Sequence, residues 1–194
     1  MGSKLNIAVV SLDITWGDVD ENLLVAEQQI RKLPSGIDLV VLPELFSTGF
    51  VHDRETLESL SESANGKTMK TVHQWAKKYN FAIAGSFLFR VGENFFNRAF
   101  FIEPHGDEMF YDKRHLFCIS PESELFAAGE TLPPVVRYRS WNISLIICYD
   151  LRFPVWCRNK DMRYDIMLVP ANWPDSRSFA WSRLLSGRAS ENQA

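Results

Sequence analysis

Residues 37–42 read IDLVVL, an apolar run closed by Pro43 and Glu44. That length and composition suit a strand buried on both faces, the signature of a sheet covered on each side. Upstream, LNIAVVSLDI (5–14) predicts another strand. Between the two, Val19, Leu23, Ala26, Ile30 and Leu33 recur at the spacing of one helical face over 18–33, and Pro34-Ser35-Gly36 stops that helix. Downstream, Met69, Val72, Ala76 and Tyr79 mark a second helix over 66–80. FAIAGSFLFR (81–90) and NRAFFIEP (97–104) then predict a hairpin through Gly92-Glu93-Asn94. YDKRHLF (111–117) opens a polar, loop-like region reaching about Pro134. Residues 135–139 and 142–148 predict a strand pair, 154–162 a short helix, 165–172 a buried strand and 177–193 a last helix. Helices alternating with apolar strands imply a layered α/β fold, and the hairpins make its sheets mixed.

Composition narrows the class. The chain has 194 residues, 46% hydrophobic and 23% charged, with a net charge of −3. Those values describe one folded domain over 1–194 and argue against disorder. No basic run exists to hold a phosphate backbone, so nucleic acid is not an expected partner. No apolar stretch approaches a membrane span or a signal peptide. Cys118, Cys148 and Cys157 are too few, and odd in number, for a disulfide framework, and no metal-ligand spacing is present. The sequon Asn142-Ile143-Ser144 falls inside a strand-like run and is discounted. The default compartment is the cytoplasm, where thiols stay reduced.

Three positions at strand edges can carry chemistry. Glu44 ends the buried strand, where desolvation tunes a carboxyl for acid–base work; taken alone, it reads first as a solvated loop residue. Cys148 ends the strand NISLIIC, and functional residues gather at the carboxyl ends of strands in α/β sheets. A buried structural cysteine is the competing reading. Lys113 sits among Asp112, Arg114 and His115, and His115 competes with Glu44 as a base for a cysteine nucleophile. Cys118 and Cys157 read as structural.

LPELFSTGF around Glu44, YDKRHLF around Lys113 and ICYDLRFP around Cys148 together resemble the nitrilase superfamily of carbon–nitrogen hydrolases. The order Glu–Lys–Cys and the intervals of 69 and 35 residues agree with its layout. CYDLRFPVW, ANWP and RASENQA further resemble its ω-amidase branch. The resemblance implies an α-β-β-α sandwich with mixed sheets and part of the C-terminal region missing. It implies Glu44 as general base, Cys148 as nucleophile and Lys113 as oxyanion partner, helped by the backbone N–H of Tyr149. Glu122, or less readily Glu124, is the second glutamate that holds Lys113. The implied substrates are terminal amides of short dicarboxylic monoamides of the 2-oxoglutaramate and 2-oxosuccinamate type, cleaved through a thioester with no metal or cofactor. The far carboxylate needs a cation: Arg152 or Arg177 would serve, although Arg152 is equally placed to pair with Asp150. Trp173 walls the acyl pocket or belongs to the core. The superfamily also implies a homodimer.

Other readings keep a place. A nitrilase, a carbamoylase or a broader amidase would share the three residues. A layered metal-dependent phosphodiesterase would use Glu44, Asp150 and Asn172, but it lacks a late histidine at a strand end. A non-catalytic assembly subunit is the third class.

Overall fold

A computed structural model describes residues 4–194; the first three residues of the expected domain lie outside the described residues. One sheet has the order β1 (Ile7–Val9), β2 (Leu39–Val41), β3 (Ala82–Val91), β4 (Asn94–Ile102), β5 (Glu108–Asp112). Its first three strands are parallel, and β3, β4 and β5 are antiparallel neighbours. A second sheet joins β6 (Val135–Tyr138), β7 (Trp141–Leu145) and β8 (Ile166–Leu168), antiparallel then parallel. Parallel neighbours need long crossovers. Helix α1 (Val19–Arg31) supplies the first, and α2 (Arg54–Leu60) with α3 (Lys67–Tyr79) the second. The short α4 (Glu122–Leu125) and α5 (Pro154–Cys157) and the long α6 (Ser178–Asn192) complete the chain.

Alternation along β2 explains the layers. Successive strand residues point to opposite faces. Val40 and Leu42 pack with Leu23 and Ile30 of α1 and Val72 of α3. Leu39 and Val41 face the other way, against Leu145, Ile147 and Leu168 of the second sheet. The outer side of that sheet puts Ile146 with Leu151, Cys157 and, from α6, Trp181 and Leu184. The product is an α-β-β-α sandwich with two mixed sheets, as the apolar run and the hairpins imply. Burying a Leu or Val at either interface contributes about 1.5–3 kcal/mol. Val40→Asp would place an unpaired charge between sheet and helices.

Helix ends follow local chemistry. Asp18 caps α1 by accepting the Glu21 N–H at 3.0 Å. Asn80 ends α3 in the left-handed region.

Several elements differ from the sequence expectation; the buried strand read over 165–172 pairs only over Ile166–Leu168. The first strand pairs only over Ile7–Val9 rather than 5–14. Helix α2 was not expected, because its seven residues bury only Leu57 and show no period. Strand β5 was not expected: residues 108–110 carry no assignment from the sequence, its last two residues open the region read as a loop, and its pairing is set by β4. The short helix over 154–162 is instead α5 and a 3₁₀ turn, Lys160–Met162, interrupted at Asp161 with φ of 58°.

Candidate active site

Strands β2, β5 and β7 deliver one polar residue each, just past their carboxyl ends. Glu44 follows β2 through Leu42-Pro43, Lys113 follows β5 directly, and Cys148 follows β7 through Ile146-Ile147. The turn after Glu44 is fixed by Ser86, whose hydroxyl accepts the Leu45 N–H at 2.9 Å. The position of Lys113 depends on a glycine. Gly129 donates its N–H to the Lys113 carbonyl at 2.9 Å, and a Cβ there would lie 2.1 Å from the Asp112 carbonyl oxygen. Cys148 opens a 3₁₀ turn, Cys148–Arg152, with φ of 41°, in the left-handed region that a β-carbon disfavours. Its own N–H donates to the Pro170 carbonyl at 3.0 Å, which ties the turn to the end of β8.

The three side chains converge with a fourth. Lys113 Nζ donates to Glu44 Oε1 at 2.8 Å and to Glu122 Oε1 at 2.7 Å. All three groups are at most 1% exposed. Asn97 Nδ2 adds a second donor to Glu44 Oε1 at 2.8 Å, and the Asn172 backbone N–H donates to Glu44 Oε2 at 3.1 Å. Glu122 Oε2 accepts the Phe117 N–H at 2.7 Å. Burial by itself would lower the Lys113 ammonium; the carboxylates of Glu44 and Glu122 overcome it and hold the group protonated above its ordinary range. Burial raises the Glu122 carboxyl, opposed by Lys113. Burial pushes the Cys148 thiol well up, and the neighbouring Glu44 carboxylate adds to the effect. Cys148 therefore rests as a neutral thiol beside a carboxylate.

A cavity of about 360 Å³ opens on this cluster. Lys113, Glu122 and Cys148 reach it, and Phe50, Phe117 and Tyr149 give it apolar walls. Arg152 and Arg177 also line it. The Arg152 guanidinium lies 5.7 Å from the Tyr149 ring centre and 5.2 Å from that of Trp173, and Arg177 lies 5.1 Å from Phe117. Among the described residues neither has a carboxylate partner. The alternative pairing of Arg152 with Asp150 does not form, because the Asp150 oxygens accept from Tyr111, His115 and Ile147. Trp173 lines the cavity while its Nε1–H donates to the Arg177 carbonyl at 2.9 Å. The Tyr149 N–H, in the first turn of its 3₁₀ segment, has no intrahelical acceptor.

The sequence alternatives at the site are separated by this geometry. His115 makes no dyad with Cys148: its Nδ1 lies 2.8 Å from Asp150 Oδ1. Glu122, not the exposed Glu124, meets Lys113. Cys118 is exposed and Cys157 is buried against Ile146 and Leu151. Asn97 and the Asn172 N–H escaped the sequence reading. Asn97 sits within a strand that reads as structural, and a backbone donor leaves no mark in residue type.

A buried carboxylate, ammonium and thiol at the strand ends of an α-β-β-α sandwich define a hydrolase class that attacks amide carbon through sulfur. The chain belongs to the carbon–nitrogen hydrolase family, whose model matches residues 6–194, and it is an amide-hydrolysing enzyme. It is 38% identical over 194 residues to the Omega-amidase YafV of Escherichia coli (strain K12), spanning 98% of this chain and 72% of that protein. It is 32% identical over 193 residues to the 2-oxoglutaramate amidase of Bacillus subtilis (strain 168), spanning 98% and 73%. The structure superposes with a TM-score of 0.90 on XC1258 from Xanthomonas campestris, a CN-hydrolase superfamily protein with an arsenic adduct in its active site. The two are 37% identical over 97% of this chain and 72% of that one. A Glu-to-Gln mutant of the amidase from Nesterenkonia sp. AN1, showing the result of Michael addition of acrylamide at its active-site cysteine, superposes at 0.85 with 26% identity, over 98% and 76%. This membership displaces the phosphodiesterase reading; the Asn172 offered there as a metal ligand instead donates its backbone N–H to Glu44.

Proposed function

We propose that this enzyme hydrolyses the terminal amide of short dicarboxylic monoamides of the 2-oxoglutaramate or 2-oxosuccinamate type, through a thioester on Cys148. The observation that carries the reading is the buried Glu44–Lys113–Cys148 cluster under a cavity lined by Arg152 and Arg177, neither of which pairs with a carboxylate among the described residues. Relatives that act as ω-amidase and 2-oxoglutaramate amidase support the substrate class.

The hydrogen bonds suggest how protons move. Glu44 Oε1 takes two donors, Lys113 and Asn97, whereas Oε2 takes one, the Asn172 N–H, so Oε2 keeps a lone pair for the Cys148 proton. Sulfur then attacks the amide carbon and the carbonyl electrons move to oxygen. Lys113 Nζ has three N–H groups, two committed to carboxylates, and the third faces the oxyanion together with the Tyr149 N–H. Collapse breaks the C–N bond, the nitrogen takes the proton from Glu44, and ammonia leaves. Glu44 next removes a proton from water as its oxygen attacks the thioester. The C–S bond breaks, sulfur recovers the proton, and the acid departs. Arg152, with Arg177 as the second candidate, pairs with the far carboxylate, and Trp173 walls the acyl chain.

We further propose a cytoplasmic homodimer acting on a small soluble amide; among the described residues no helix is long and apolar enough to cross a membrane. The deciding experiment measures ammonia release from 2-oxoglutaramate, a neutral amide of equal length and the matching nitrile. The reading expects the first to dominate and Cys148→Ala to abolish it. Preference for the nitrile, or turnover by Cys148→Ala, refutes it.

A further inference from the structure

Asp150 stands two residues after the nucleophile and takes no part in the steps above, yet its side chain is fully buried. Four donors converge on it. Oδ1 accepts the His115 backbone N–H at 2.9 Å and lies 2.8 Å from His115 Nδ1. Oδ2 accepts the Tyr111 hydroxyl at 2.8 Å and the Ile147 N–H at 3.1 Å. An ionised carboxylate is acceptor-only, so His115 Nδ1 must carry its proton here. Tyr111 and His115 stand two residues on either side of Lys113, and Ile147 immediately precedes Cys148. One carboxylate thus joins the segment bearing the ammonium to the turn bearing the thiol.

The surroundings hold this tie. Trp156 Nε1 donates to the Tyr111 hydroxyl at 2.8 Å. The His115 ring stacks on Phe153 with centres 3.6 Å apart and meets the edge of Trp156 at 5.3 Å. Burial, then the Asp150 charge, keep the Tyr111 hydroxyl protonated and donating. The tie also answers a need. Cys148 sits at φ of 41°, and strained backbone persists only where its surroundings over-determine it. Asp150 closes the same turn, its N–H donating to the Ile147 carbonyl at 2.9 Å.

We infer that His115 and Asp150 are positioning residues for the amide hydrolysis proposed above, fixing Lys113 Nζ against Cys148 Sγ by hydrogen bonds alone. His115 transfers no proton in this scheme. The inference rests on the proposed chemistry only for its turnover assay, since alkylation of Cys148 reads the same geometry without a substrate.

His115→Ala removes the side-chain donor, whereas His115→Asn keeps an N–H near the place of Nδ1. Misplacement of reacting groups by about 1 Å costs about 10²-fold. His115→Ala should lower kcat by about 10- to 100-fold on that scale with KM little changed. His115→Asn should regain most of the loss. The rate of acrylamide addition at Cys148, followed by mass of its peptide, should fall and recover in parallel, at a temperature where circular dichroism shows every variant folded. Wild-type kcat and alkylation in His115→Ala overturn the inference. So does His115→Asn as impaired as His115→Ala, which would assign the work to the ring itself. Should His115→Ala not fold, Tyr111→Phe, which deletes one oxygen, decides: slower alkylation upholds the tie and an unchanged rate refutes it. A wild-type enzyme inert toward every amide refutes the proposed function, while the alkylation comparison still tests the tie.

Discussion

Glu122→Gln isolates what a second carboxylate does for Lys113. The side chain is nearly isosteric, so packing around it should survive. Glu122 accepts twice, from Lys113 Nζ at 2.7 Å and from the Phe117 N–H at 2.7 Å. A glutamine has one oxygen, so one of these donors must face an NH₂ group. Losing a hydrogen bond to a buried charged group costs about 1.5–3 kcal/mol. The ammonium then leans on Glu44 alone, and the N–H that should meet the oxyanion is no longer held in place. If that cost is felt in the transition state, kcat falls by about 10- to 150-fold at about 1.4 kcal/mol per decade. The same loss in the ground state lowers the Tm by about 3–12 °C for a chain of this size. Steady-state kinetics at saturating amide, run well below the melting transition, measure the first effect and thermal denaturation the second. A folded Glu122→Gln enzyme with kcat within about threefold of wild type would refute the orienting role, since one broken charged hydrogen bond should exceed that.

Glu44→Gln should abolish turnover with the fold intact, because an amide cannot shuttle a proton; normal turnover would remove Glu44 as the base. Cys118→Ala, a change at an exposed position, should leave kcat unaltered, checked in the same assay. Arg152→Gln should raise KM for a dicarboxylic monoamide at least about tenfold, the scale of a lost charged hydrogen bond, with little effect on a neutral amide. Equal effects on both substrates would argue against the carboxylate contact. Burial raises the Cys157 thiol from 9.0 to about 11. The folded state therefore holds that proton more tightly than the unfolded chain, so stability is complete below pH 9 and declines as pH climbs toward 11. The loss of melting temperature across that window should be shallower in Cys157→Ala than in the wild type, and an identical slope would refute it.

What the sequence made legible has a common physical origin. IDLVVL announces a strand covered on both sides because each residue must be apolar when neither face meets water. The residues that punctuate such runs, Glu44 and Cys148, stand out because strand ends are where side chains leave the core. Pairings that join distant segments leave no such trace. Strand β5 exists because β4 offers it a ladder, and the five residues EMFYD carry no signal of that partner. Asn97 lies inside a strand, NFFNRAFFI, that is rich in phenylalanine, so its polarity passes for an accident until Glu44 is found 2.8 Å away. His115 shows the opposite failure: its residue type invites a catalytic role, and only the buried carboxylate of Asp150 reveals what its Nδ1 faces.

The same contrast explains the division of labour at the site. Groups that meet substrate must reach a cavity, so they sit at chain positions where a strand stops and a turn begins. Groups that fix those reactants need no access, and they come from wherever the sandwich brings a donor close. Lys113 lies between the two kinds, wholly buried yet lining the cavity, with two carboxylates balancing one ammonium. Burial first, and then the excess negative charge that this imbalance leaves, raise the Cys148 thiol and favour its protonated form. A permanent thiolate would be exposed to oxidation and adventitious alkylation. In the mechanism proposed above, the neutral thiol passes its proton to Glu44 and sulfur then attacks the amide carbon held in the cavity.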